Sequence, residues 1–137
     1  MRKLAAGVLT AALFATGAGT AFAASWHKIP TLTTGGAKFY NGQYKFWPAG
    51  QHHGAFEWKG NLQDTDSGDG HNVYMQVKVE GYDWSRYNGK QKKTVPLDYY
   101  NWDGAERYTV NAYIRVCRDR GSLHPDNCSV TKHYKRP

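Results

Sequence analysis

The sequence predicts an all-β protein: an antiparallel β-sandwich or small barrel with one disulfide near the C-terminus. Three observations carry that expectation. Two segments alternate apolar and polar side chains with the period of a half-buried strand, one through Val73, Met75, Val77 and Val79, the other through Tyr108, Val110, Ala112, Ile114 and Val116. No window after residue 24 sustains a 3.6-residue apolar period, and Gly and Asn punctuate the runs as turn residues. The chain's two cysteines, Cys117 and Cys128, enclose Gly121 and Pro125, and an even count in an oxidising compartment predicts that they bond to each other.

The compartment is read from the N-terminus. Met1-Arg2-Lys3 is a short cationic start, residues 4–20 carry no charge, and Ala21-Phe22-Ala23 has the small-x-small pattern of a cleavage site. Residues 1–23 are therefore expected to be an export signal. A retained membrane span fits less well, because Thr10, Thr16, Gly17 and Gly19 interrupt the apolar run. The mature protein is expected to begin at Ala24, to be secreted and to form one domain. Loss of Arg2 and Lys3 from the 18 basic residues leaves 16 against 11 acidic ones. That moderate surplus favours anionic surfaces such as cell-wall polymers, and it serves solubility equally well.

Residues 24–37 contain Pro30 and end in Gly35-Gly36, and they read as an extended N-terminal arm set apart from a sandwich domain at 38–137. Trp26, Ile29 and Leu32 are the arm's large apolar side chains. They are expected either to pack on the chain's own sandwich as an edge strand or to anchor in a partner's groove. Asn41-Gly42, between aromatic runs, predicts a hairpin turn. Residues 55–62 alternate as a strand, with Phe56, Trp58 and Leu62 on one face and Gly60 marking a bulge. The acidic loop 64–70 leads into the Val-rich strand at 72–80. A further strand runs from Glu106 to about Cys117, and residues 128–131 are expected beside it as the last strand. Residues 81–105 read as Tyr- and Trp-rich turns on either side of Lys90, Lys92 and Lys93.

Asp64, Asp66 and Asp69 lie within six residues, as in a calcium loop, but the register is wrong. Gly68 stands at a ligand position, Asp69 where that loop requires Gly, and Met75 where it closes with Glu. A solvated hairpin loop is expected, and neither a metal nor another cofactor is predicted. His52-His53 with Glu57 and His71 matches no zinc-protease, nucleophile-elbow or phosphate-loop pattern. A ribonuclease could be cast from Glu57 as base, His71 or His124 as acid and Arg107 or Arg115 on the phosphate, yet nothing local specifies it. The chain is read as non-enzymatic, with nucleic acid disfavoured as a partner. The candidate contact surface is Tyr82, Trp84, Tyr99, Tyr100 and Trp102, with Tyr87, Arg86 and Lys90 beside them. The same rings would otherwise cap the ends of a sandwich short of aliphatic residues.

The strand and turn at 60–65, the Val-rich strand after Asp69-Gly70-His71, and the runs Val-Cys-Arg-Asp (116–119) and Asp-Asn-Cys-Ser (126–129) resemble a loose group of small secreted proteins of filamentous actinobacteria. Some of that group are similar to the adaptor subunit of Umbrella toxin particles. The resemblance covers roughly residues 55–131. It implies a β-sandwich that joins other secreted proteins in an antibacterial toxin assembly, with its N-terminal arm donating a strand to a partner. The alternative is a free-standing binder of cell-wall glycans, and a ribonuclease-type hydrolase ranks below both.

Overall fold

The computed structural model describes residues 25–137, and the expected export signal lies outside them. In chain order the strands are β1 (His27–Ile29), β2 (Leu32–Thr34), β3 (Ala37–Phe46), β4 (Phe56–Asp64), β5 (Val73–Val79), β6 (Ser85–Asn88), β7 (Thr94–Asn101), β8 (Asn111–Arg118), β9 (Asn127–Cys128) and β10 (Lys132–Lys135). The first sheet runs β1-β3-β4-β7, with β2 also paired to β3. The second runs β10-β8-β5-β6, with β9 also paired to β8. The two antiparallel sheets pack face to face and do not close into a barrel, so the sandwich form of the expected fold is the one observed. Among the described residues no helix is long and apolar enough to cross a membrane.

Each sheet has one outer strand broken in two. Pro30 and Thr31 separate β1 from β2, and residues 129–131 separate β9 from β10. Proline donates no ladder hydrogen bond, so Pro30 and Pro96, the latter in edge strand β7, sit where a sheet tolerates them. The residues expected as a separate arm are thus paired to β3 in the first sheet. Gly35-Gly36 acts as a tight two-residue connection, with Thr34 opposite Ala37 and Gly36 at φ 86.

Asn41-Gly42 does not form the expected hairpin. β3 runs straight through it, and the pairing with β4 shifts register between Tyr40 and Gln43, leaving a bulge in which Asn41 takes φ 52. The reason lies in packing. Gly42 faces Ile29 and Gly60 faces the same site from β4, and both lack a Cβ because the Phe39 ring occupies the space. The bulge is therefore on β3, opposite the Gly60 where it was expected.

The core takes Ile29, Leu32, Phe39, Phe56, Trp58 and Leu62 from the first sheet, and Val73, Met75, Val77, Ile114 and Val116 from the second. Residues 106–110, expected as the start of a strand, form a loop instead. Tyr108 is consequently exposed, and β8 begins at Asn111. Cys117 and Cys128 face each other across β8 and β9 and are bonded, with Cα atoms 4.0 Å apart. The final strand is β10, which pairs to β8 beyond the short β9.

Candidate functional site

The contact residues named from the sequence separate into three groups. Ile29 and Leu32 are 1% and 2% exposed. β1 and β2 bury them against their own sandwich, the first of the two placements expected for the arm. Tyr99 closes the open side between the sheets. It lies 4.3 Å from Tyr87 and 5.7 Å from Trp58 by ring centroids. Beneath it Trp58 Nε1 donates to Asn101 Oδ1 at 2.9 Å and Asn101 Nδ2 donates to the Tyr87 hydroxyl at 2.7 Å, so this seam is a buried polar bracket.

Of the remaining rings, Tyr82, Tyr100 and Trp102 are exposed, and Trp26 and Trp84 are half-buried. Tyr82, Trp84 and Trp102 line a depression at one end of the sandwich, together with Lys78, Asp83 and Asn101. Tyr82 is 55% exposed, Trp102 42% and Tyr108, from the neighbouring loop, 43%. These rings are held by backbone. Gly104 N–H donates to the Tyr82 hydroxyl at 3.2 Å, and buried Asp103 accepts from Ala105 N at 2.9 Å while its own N–H donates to Thr109 Oγ1 at 3.2 Å. Glu80 accepts from Val110 and Asn111 N–H, which fixes the far end of the loop. Trp84 lies over the outer face of the second sheet, with Arg115 at 4.3 Å and Lys78 at 4.9 Å from its ring.

No family model, no curated protein and no solved structure matches the chain. The functional reading therefore rests on the site's own geometry.

That geometry includes a feature without an expected counterpart. His52, His53 and Gly54 are consecutive residues with φ of 44, 58 and 59 in a short 3₁₀ turn. A left-handed backbone costs a non-glycine residue roughly 1–2 kcal/mol, so two adjacent histidines hold it only because neighbours enforce it. Arg136 is the clamp. Its guanidinium donates to Trp47 O and Gly54 O at 2.9 Å and to Thr109 O at 2.7 Å. The consequence is that the His53 ring lies flat on Trp102, 4.5 Å away at 11°, and the His52 ring on Tyr100, 5.0 Å away at 14°.

Tyr100 and Trp26 belong to the outer face of the first sheet. Lys45 pairs with Glu57 and Glu57 with Tyr100, while His27 opposite Tyr44 sets Trp26 beside Lys45. Glu57 is 4% exposed although it points to the solvent side. The pKa of the Tyr100 hydroxyl is raised, first by desolvation and then by the Glu57 carboxylate to which it hydrogen-bonds.

Two of the residues that could have been cast as a ribonuclease lie on opposite faces of the sandwich. Glu57 lies on the outer face of the first sheet, and Arg115 on that of the second, where it donates to Gln76. The calcium-like loop spends its carboxylates internally. Asp64 accepts from Asp66 N and Lys92 N, and Asp69 from His71 N and Arg118. Among the described residues no group of three His, Cys, Asp or Glu is placed to hold a metal ion.

Sequence reasoning missed Trp47, His52, His53 and Tyr108 as surface partners of the named rings. The doubled histidine before a glycine was the available signal, since only an irregular turn lays both rings on one side.

Proposed function

We propose that this is a secreted, non-catalytic binding protein, an adaptor within an extracellular multiprotein assembly, which engages a partner protein through the end formed by Tyr82, Trp84, Trp102 and Tyr108. The observation that carries the reading is the gathering of exposed Tyr82, Trp102 and Tyr108 beside half-buried Trp84, on loops locked by Asp103, Glu80 and Arg136. Exposed aromatics beside Arg and Lys are the composition of interface centres, and loops ordered in advance lose little entropy on association. The toxin-particle role implied by the resemblance keeps the adaptor idea but not its mechanism. Residues 27–34 are engaged in their own sheet, so strand donation is replaced by docking of the aromatic end.

The test is affinity purification of the tagged mature protein from culture medium, alongside Tyr82→Ala/Trp102→Ala. The reading predicts a stoichiometric secreted partner that is lost in the variant at unchanged melting temperature. A partner retained by the variant, or none at all, contradicts it.

A further inference from the structure

The aromatic end meets the outer face of the second sheet at Trp84. On that face β8, β5 and β6 set Arg115, Gln76 and Arg86 in one row. The row beside it, across β10, β8 and β5, holds His133, Tyr113 and Lys78. Lys78 and Arg115 are half-buried, and both rest on Trp84, 4.9 Å and 4.3 Å from its ring centroid; Lys78 Nζ also lies 5.1 Å from that of Tyr113. Trp84 thus serves as the support that places two cations. Arg115 Nε donates to Gln76 Oε1 at 2.9 Å, which fixes the guanidinium plane, and its two Nη groups find no acceptor among the described residues.

No carboxylate stands opposite either cation, since Lys78 faces Tyr113 and Arg115 faces Gln76. Arg86 is the paired cation of this face, held by Asp119 at 2.8 Å. Glu80, two residues on from Lys78, gives both oxygens to the N–H groups of Val110 and Asn111. Asp83 lines the end depression with Lys78, but among the described residues the ion pairs within 4.0 Å are those of Arg86 and Arg118. Lys135, opposite Asn111, adds positive charge at the rim.

The sign of what this face takes is therefore negative, in keeping with a surplus of 16 basic over 11 acidic residues after position 23. The number of cations decides its class. Nucleic acid is held through many phosphates, typically about six to ten, whereas the unpaired cations of this face are Lys78, Arg115 and, at the rim, Lys135. A guanidinium fork backed by an aromatic ring matches a side-chain carboxylate, and charges beside an aromatic patch supply orientation and association rate while the rings supply the rest of the contact.

We propose that the partner protein carries an acidic segment that crosses this face, one carboxylate held by the Arg115 Nη groups and a neighbouring one by Lys78 Nζ. The inference rests on the reading of the aromatic end as a protein-docking surface and names the charge of the partner at its margin.

The probe is hexaglutamate, titrated into the isotope-labelled mature protein and followed at the Arg115 Nε–H, the Gln76 side-chain amide and the Trp84 indole N–H, with hexalysine and a thymidine oligonucleotide as comparisons. The expected result is saturable shifts at all three groups with hexaglutamate, weaker binding of the oligonucleotide and none of hexalysine. Lys78→Gln/Arg115→Gln, at matched melting temperature, should weaken hexaglutamate roughly tenfold through loss of two partly exposed ion pairs, and Tyr82→Ala/Trp102→Ala should leave it unchanged. In capture from culture medium, Lys78→Gln/Arg115→Gln should release the partner at lower salt than the parent protein does. Hexaglutamate shifts that are absent, or that fall elsewhere, overturn the proposal. So does oligonucleotide binding as tight as hexaglutamate, and so do affinity and salt tolerance unchanged in Lys78→Gln/Arg115→Gln. Retention of the partner by Tyr82→Ala/Trp102→Ala, or capture of none, refutes the docking reading alone, because the peptide titration scores the acidic contact without a captured partner.

Discussion

Substituting Gly60 by alanine should cost far more than its single methyl group suggests. A Cβ built at Gly60 would stand 2.4 Å from Phe39 Cζ, 2.7 Å from Cε2 and 3.1 Å from the Gly42 Cα. Phe39 has no room to retreat. It is fully buried, lies between Leu32 and Leu62 in register, and meets Trp58 edge-on at 5.9 Å. Overpacking of a closed core typically costs ~1–3 kcal/mol, and a clash with a fixed ring belongs at the upper end, about 3 kcal/mol. For a domain of this size that corresponds to a fall in Tm of roughly 12 °C. Gly68→Ala is the control, since its Cβ would meet nothing within 4 Å. Its Tm should stay level or rise slightly, because alanine restricts the unfolded chain. Urea and thermal unfolding followed by circular dichroism measure both. A Gly60→Ala protein that melts within ~2 °C of the parent would show that Phe39 does not lie over Gly60 and that the bulge at 41–42 is misplaced.

Other consequences are equally direct. Tyr74, pushed up to about 12 by burial and then by its bond to Asp126, and Tyr134, pushed up to about 12 by burial beside Tyr44, should ionise after the exposed tyrosines in a 295 nm titration. A raised folded pKa means stability is intact below the unfolded value near 10 and is lost as pH climbs from ~10 to ~12, so Tm should fall in that window. Arg136→Ala removes the donors to three backbone carbonyls and should lower stability by about 3 kcal/mol in urea, with Arg136→Lys restoring less than half because a point charge cannot reach all three.

Much of the sandwich was legible because its central strands are patterned simply. β5 and the inner part of β8 bury one parity against the facing sheet, so Val73 to Val79 and Ala112 to Val116 declare themselves. The disulfide was legible from count and compartment. β7 was hidden, since its inward positions include Tyr99 and the polar Asn101, the latter serving as the Trp58 hydrogen-bond partner, and Pro96 lies in its middle. Asn41-Gly42 misled because a positive φ at Asn serves a bulge as well as a turn, and only the contact with Phe39 decides between them. The aromatic residues were recognisable as a set, but their division among seam, end and outer face depends on the β4–β7 register. That register is a long-range pairing with no local signature.

Hydroxyl-radical footprinting of the tagged protein, alone and as isolated with its partner, tests the central claim most directly. Oxidation at Tyr82, Trp102 and Tyr108 should fall severalfold in the complex, while exposed Leu123 and Val130, far along the chain on the β8–β10 connection, should oxidise as before. Protection confined to Leu123 and Val130, or no protection of Tyr82 and Trp102, would contradict the assignment of the aromatic end as the partner surface.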